Sequence, residues 1–112
     1  MFDFQNTLDE ANEYRKHGNY AIAAFSYWLI GFAYEDEEFP YYYTPAIGAE
    51  AYNGYVEIMN NHYDQILKDD SYLIYKSDLI RFSSYRKYFE RFELEVTNYV
   101  PHSRSHNLAH ES

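Results

Sequence analysis

Residues Tyr20–Tyr34 read YAIAAFSYWLIGFAY, a run of 15 residues without a charge. Wound at about 3.6 residues per turn, it is apolar on nearly every side, through Ala21, Ile22, Ala23, Ala24, Phe25, Tyr27, Trp28, Leu29, Ile30 and Phe32. Such a helix has to be covered all round, which places it at the centre of the fold. It falls short of the roughly 20 apolar residues that span a bilayer, so it reads as a buried helix.

The flanks of this run are helical too. Thr7 and Glu10 have the spacing of a capping box, so a first helix is expected from there to about His17. Gly18 can adopt the left-handed conformation that closes a helix, and Asn19 can cap the next. On the other side, Glu35, Asp36, Glu37 and Glu38 oppose the dipole at a helix C-terminus and should end helix 2. Phe39 to Pro45 is then an aromatic loop fixed in part by two prolines. Thr44 before Pro45 is a helix start, and helix 3 is expected over Pro45–Lys68. Gly48 and Gly54 weaken it by about 1 kcal/mol each relative to Ala, which suggests close approach by another helix.

Asp69, Asp70 and Ser71 precede a stripe at Tyr72, Tyr75, Leu79, Phe82, Tyr85, Phe89, Phe92, Val96 and Tyr99, with gaps of three and four throughout. That period predicts one long helix over Ser71–Val100, stopped by Pro101. The expected fold is therefore all-α: a four-helix bundle-like domain over residues 1–100 with a long C-terminal helix, followed by a flexible polar tail over 101–112. A stripe of that length exceeds what a small core covers, and a homodimer is expected from it.

Tyr14, Gly18, Tyr20, Ala23 and Tyr27 fall at the spacing of the tetratricopeptide repeat. Residues 6–34 resemble one such helical hairpin, in which a small residue lets two helices close up. The pattern is not matched at Thr7, Ala11, Ile30 and Glu35, and no second copy follows. The resemblance implies protein–protein binding.

Net charge is −9 and tyrosine occurs 15 times among 112 residues. The charge is polarised by segment: residues 1–67 hold 11 acids and 2 bases, whereas residues 68–112 hold 7 of each. Phosphate backbones are repelled by the first half, so no direct nucleic-acid binding is expected there. Without cysteine, neither disulfides nor thiolate zinc sites can form. The first residues lack a basic stretch ahead of an apolar one, so no secretory signal is expected and the location is expected to be cytoplasmic.

Candidate chemistry is sparse. His102, His106 and His110 repeat every four residues, but the plainer reading is a polar tail. Arg104 and His110 are similar to the short Arg-x5-His motif of HEPN-type ribonucleases, which implies phosphate handling, yet they lie beyond Pro101 without a packed helix. His62, Tyr63 and Asp64 are adjacent and point apart on a helix. His17 suits a helix end. Arg81, Arg86, Lys87 and Arg91 alternate with aromatics, and are expected to face solvent or the acidic half of the chain. No enzyme activity, cofactor or metal is expected.

The partner-binding stretch is expected at Glu35, Asp36, Glu37, Glu38, Tyr41, Tyr42 and Tyr43. Tyrosine supplies contact area at low entropy cost, and carboxylates beside it suit a basic protein surface. Two functions follow from this: a protein-interaction module or adaptor, or an inhibitor that imitates nucleic acid in the basic groove of a nuclease or other DNA- or RNA-binding protein; the resemblance at Arg104 and His110 adds a remote third, a HEPN-like ribonuclease.

Overall fold

The computed structural model describes residues 3–36 and 43–99. Among them the chain forms α1 (Phe4–Lys16), α2 (Tyr20–Asp36), α3 (Pro45–Asn61), a 3₁₀ turn (Tyr63–Lys68), α4 (Asp70–Leu79) and α5 (Ser83–Asn98), with no strand. The fold is all-α, and none of the described helices is long and apolar enough to cross a membrane.

As its composition requires, α2 is the centre. Ala21 through Ile30 are buried without a break, and every other element touches this helix. Its polar residue Ser26 is buried beside the Tyr75 hydroxyl. Around Phe25 the core is aromatic. Phe25 stacks on Phe89 with centroids 4.2 Å apart and meets Phe92 edge-on at 5.3 Å. Tyr72 approaches both phenylalanines at 6.0 Å. Such offset and edge-to-face pairs add to what area burial alone provides.

Gly18 closes α1 with φ +81°, as its position implies, and α2 folds back along α1. The start of α1 lies earlier than the capping box predicts. Asp3 is the cap, accepting from the Asn6 amide at 2.9 Å, and Thr7 sits inside the first turn. The extra turn buries Phe4, a gain that outweighs the local capping preference. At its far end α2 continues to Asp36, past the first two carboxylates. Thr44 caps α3 through its hydroxyl, which accepts from the Ile47 amide at 3.2 Å.

Two predicted helices are interrupted. The chain leaves α3 at His62 and tightens into the 3₁₀ turn, which buries Ile66. Asn60, Asn61 and His62 are weak helix formers. The Tyr63 hydroxyl donates to the Val96 carbonyl at 2.8 Å, drawing the turn toward α5. The expected long helix over Ser71–Val100 is divided at Ile80–Phe82. Tyr72 donates to the Glu93 carboxylate 21 positions away, a span of about 31 Å in a straight helix. The same carboxylate pairs with Lys76 at 2.7 Å. Reversal lets Tyr72 and the Phe89–Phe92–Val96 stripe cover α2 from one chain. Of that stripe Tyr72, Phe89, Phe92 and Val96 are buried, Tyr75, Leu79, Tyr85 and Tyr99 are half-buried, and Phe82, at the break, is turned outward and 58% exposed.

Gly54 has the role its position suggested. A Cβ there would lie 2.7 Å from the buried Tyr27 ring, whose hydroxyl donates to Asn12 on α1. Tyr27 therefore fills the space among α1, α2 and α3, whereas Tyr14 packs edge-on against Tyr75 of α4. Gly54→Ala is expected to lower the unfolding free energy by about 1–2 kcal/mol, because a tight core accepts no added methyl there. An unchanged urea midpoint would contradict this packing.

Burial pushes the hydroxyls of Tyr55, Tyr72 and Tyr75 well above the ordinary phenol value of 10.0. In the folded protein they stay neutral while the unfolded chain ionises. Their contribution to stability is full below about pH 10 and is lost as pH rises beyond it. Urea titrations between pH 8 and 11 should show that decline, and Tyr72→Phe should make it shallower.

Candidate functional site: an acidic aromatic groove

The facing surfaces of α2 and α3 follow one rule of spacing. On α2, Trp28, Gly31, Phe32 and Glu35 recur at i, i+3, i+4 and i+7; on α3, Gly48, Ala51, Tyr52 and Tyr55 do the same. Each set therefore lines one face of its helix. Together with Tyr27, Tyr43 and Glu95 they enclose a groove of about 240 Å³.

Its walls are held from behind. Tyr43 stacks on Tyr34 at 4.1 Å and meets Phe4 edge-on at 5.2 Å, and its hydroxyl end occupies the space that a Gly48 side chain would take. Trp28 stacks on Phe32 at 4.9 Å and donates Nε1–H to a Glu95 oxygen at 2.8 Å. Burial, with the Glu95 charge, raises the pKa of the Tyr55 hydroxyl and keeps it neutral. In contrast, Tyr52 is 68% exposed and stacks on no other ring among the described residues. Gly31 differs from Gly48 and Gly54: a Cβ there would meet nothing within 4 Å. Among the described residues no cation lines the groove, although the Arg91 guanidinium sits 5.6 Å from the centre of the adjoining Phe32 ring.

Of the stretch expected to bind a partner, Glu35 and Tyr43 line this groove and Asp36 ends α2. Glu37, Glu38, Tyr41 and Tyr42 lie outside the described residues. Trp28, Gly31, Phe32, Tyr52, Tyr55 and Glu95 were not singled out from the sequence. The doubled i, i+3, i+4, i+7 spacing was a usable signal for the α2 and α3 residues. Glu95 had none, since its place depends on the α4–α5 reversal.

The remaining candidates separate. His62 stacks flat on Tyr20 at 3.6 Å, while Tyr63 is turned to Val96, so the two side chains have different partners. His17 lies 3.3 Å from Glu13. Arg81, Arg86, Lys87 and Arg91 are exposed, and Lys87 lies over Tyr88. His102, His106, His110 and Arg104 lie outside the described residues. Among the described residues, no three His, Asp or Glu side chains gather as metal ligands would. A second hollow of about 340 Å³, between α1 and α3, contains Arg15 and Lys16. Its strongest charges already neutralise each other in the Arg15–Glu57 pair, which raises the arginine pKa and lowers that of the carboxylate.

No protein-family model, curated protein or solved structure matches this chain. The arrangement itself is suited to holding a cation: flat electron-rich rings, with a carboxylate from α2 and another from α5. Trp28 is the chain's single tryptophan and reports on the groove directly. Glu95→Ala removes its hydrogen-bond acceptor, and should shift Trp28 emission and cost about 1 kcal/mol of stability. Unaltered emission would place Glu95 away from the indole in solution.

Proposed function

We propose that this protein is a protein-interaction module whose partner presents a basic surface. The observation that carries this reading is the α2–α3 groove, in which Glu35 and Glu95 stand among tyrosine, tryptophan and phenylalanine rings without a lining cation among the described residues. Aromatic rings provide contact area and the carboxylates favour positive partners, in a chain of net charge −9. The helical hairpin of α1 and α2 is in keeping with a scaffold that presents a surface.

A second reading, imitation of nucleic acid, draws on a different face. Asp9, Glu10 and Glu13 stand exposed along α1 beside the half-buried Tyr14 ring. Carboxylates spaced along a helix resemble backbone phosphates to a basic groove.

The two readings separate in a capture experiment from the native host's lysate, eluted in salt steps. A groove-bound partner should survive moderate salt and be lost with Tyr52→Ala. A mimic's partner should be a nucleic-acid-binding protein that elutes steeply with salt, is insensitive to Tyr52→Ala, and is lost when Asp9, Glu10 and Glu13 are changed to their amides. Capture of a protein without a basic surface, unaffected by either variant, would refute both.

A further inference from the structure

Gly31 is the residue that the fold does not explain. Glycine within a helix costs about 1 kcal/mol relative to alanine. At Gly54 that cost is offset by contact with Tyr27, and at Gly48 by contact with Tyr43. At Gly31 no neighbour among the described residues stands within 4 Å of the position a Cβ would take, and its backbone has no positive φ. Gly31 is exposed, and nothing among the described residues requires the missing side chain. Its effect is to leave open space in the groove, between Trp28 and Phe32 on one helix and the facing residues of α3.

The size and chemistry of that space restrict what fits. About 240 Å³ is below the roughly 300–1,000 Å³ of small-molecule sites, and suits a side chain rather than a whole ligand. Among the described residues the lining has two carboxylates and no cation, so a positive group is favoured. The exposed Tyr52 ring offers a face to it. Flat walls with acidic groups select a planar cation, because guanidinium stacks on rings and also donates two parallel hydrogen bonds to a carboxylate, whereas ammonium is a strongly hydrated point charge. The molecule already makes this contact once, with Arg91 over Phe32.

We infer that the groove above Gly31 is a pocket for a single arginine side chain of the basic partner, lying against Tyr52 and Trp28 and paired with Glu35 or Glu95. This inference rests on the partner-binding reading above and specifies what anchors the partner.

The test uses the full chain with oligo-arginine and oligo-lysine peptides of equal length, followed by calorimetry and Trp28 fluorescence. The arginine peptide is expected to bind about tenfold tighter than the lysine peptide, the size of a desolvated cation–π contact, and to change Trp28 emission. Gly31→Leu should fill the pocket and abolish the preference, leaving weak, equal binding of both peptides. Tyr52→Ala, at an exposed position that does not threaten folding, should reduce the preference in the same way. Gly31→Ala should raise the melting temperature while weakening arginine binding, a combination that a purely structural glycine would not give. Equal binding of both peptides by the unmodified chain, or a preference that survives Gly31→Leu and Tyr52→Ala, would overturn the arginine pocket and leave the basic-partner reading standing. Failure of both peptides to bind at low salt would overturn both.

Discussion

Covering α2 on all sides is the constraint on which the rest of this structure depends. A helix whose residues from Ala21 to Ile30 are all apolar or small has no face to give to water. Each buried large side chain contributes about 1.5–3 kcal/mol, so leaving even one side open would cost more than most local preferences provide. The surrounding elements are arranged by that demand. The α1 helix folds back through Gly18, α3 approaches as closely as Gly54 allows, and the C-terminal segment must supply the remaining cover.

That last requirement accounts for the reversal at Ile80–Phe82. The aromatic stripe from Tyr72 to Tyr99 is continuous by period, and helix propensity alone would run it straight. A straight helix would lie over α2 for only part of its length and leave the rest of its rings in water. Folding it into α4 and α5 brings Tyr75, Phe89 and Phe92 against Phe25 together, with Tyr72 packed on Phe89 and Phe92. The Tyr72–Glu93–Lys76 network then fixes the pairing of the two helices and satisfies the buried phenol. Among the described residues no buried side-chain nitrogen or oxygen is left without a partner, which a core so rich in tyrosine needs.

The groove is the place where this cover is incomplete. The α2 residues Trp28, Gly31, Phe32 and Glu35 line one side of it and the α3 residues Gly48, Ala51, Tyr52 and Tyr55 the other, with Trp28 and Phe32 packed against α5. Two carboxylates reach it from different elements, Glu35 by continuation of α2 and Glu95 by the return of α5. Protein chemistry of this kind, rings with acid at both ends, is made from packing residues and needs no catalytic motif.

The sequence by itself determined that the chain is helical, that α2 lies at the centre, and where the turns at Gly18, Thr44 and Asp69 fall. These are local matters: period, charge and capping act over a few residues, and the residues concerned are adjacent in the chain. It also marked Glu35 and Tyr43, because acid beside tyrosine is visible in composition. Tertiary structure alone decided that Asp3 and not Thr7 begins α1, that helix 3 ends at His62, and that the long stripe is two helices. Each of these turns on buried contacts between distant residues: Phe4 in the core, Tyr63 with Val96, Tyr72 with Glu93. The groove belongs to the same class. Glu95 stands 67 positions from its partner Trp28, and the groove has two sides only once α3 lies beside α2. A periodic pattern tells which side of a helix is apolar; which neighbour covers it, and where cover is missing, follows only from how the helices pack.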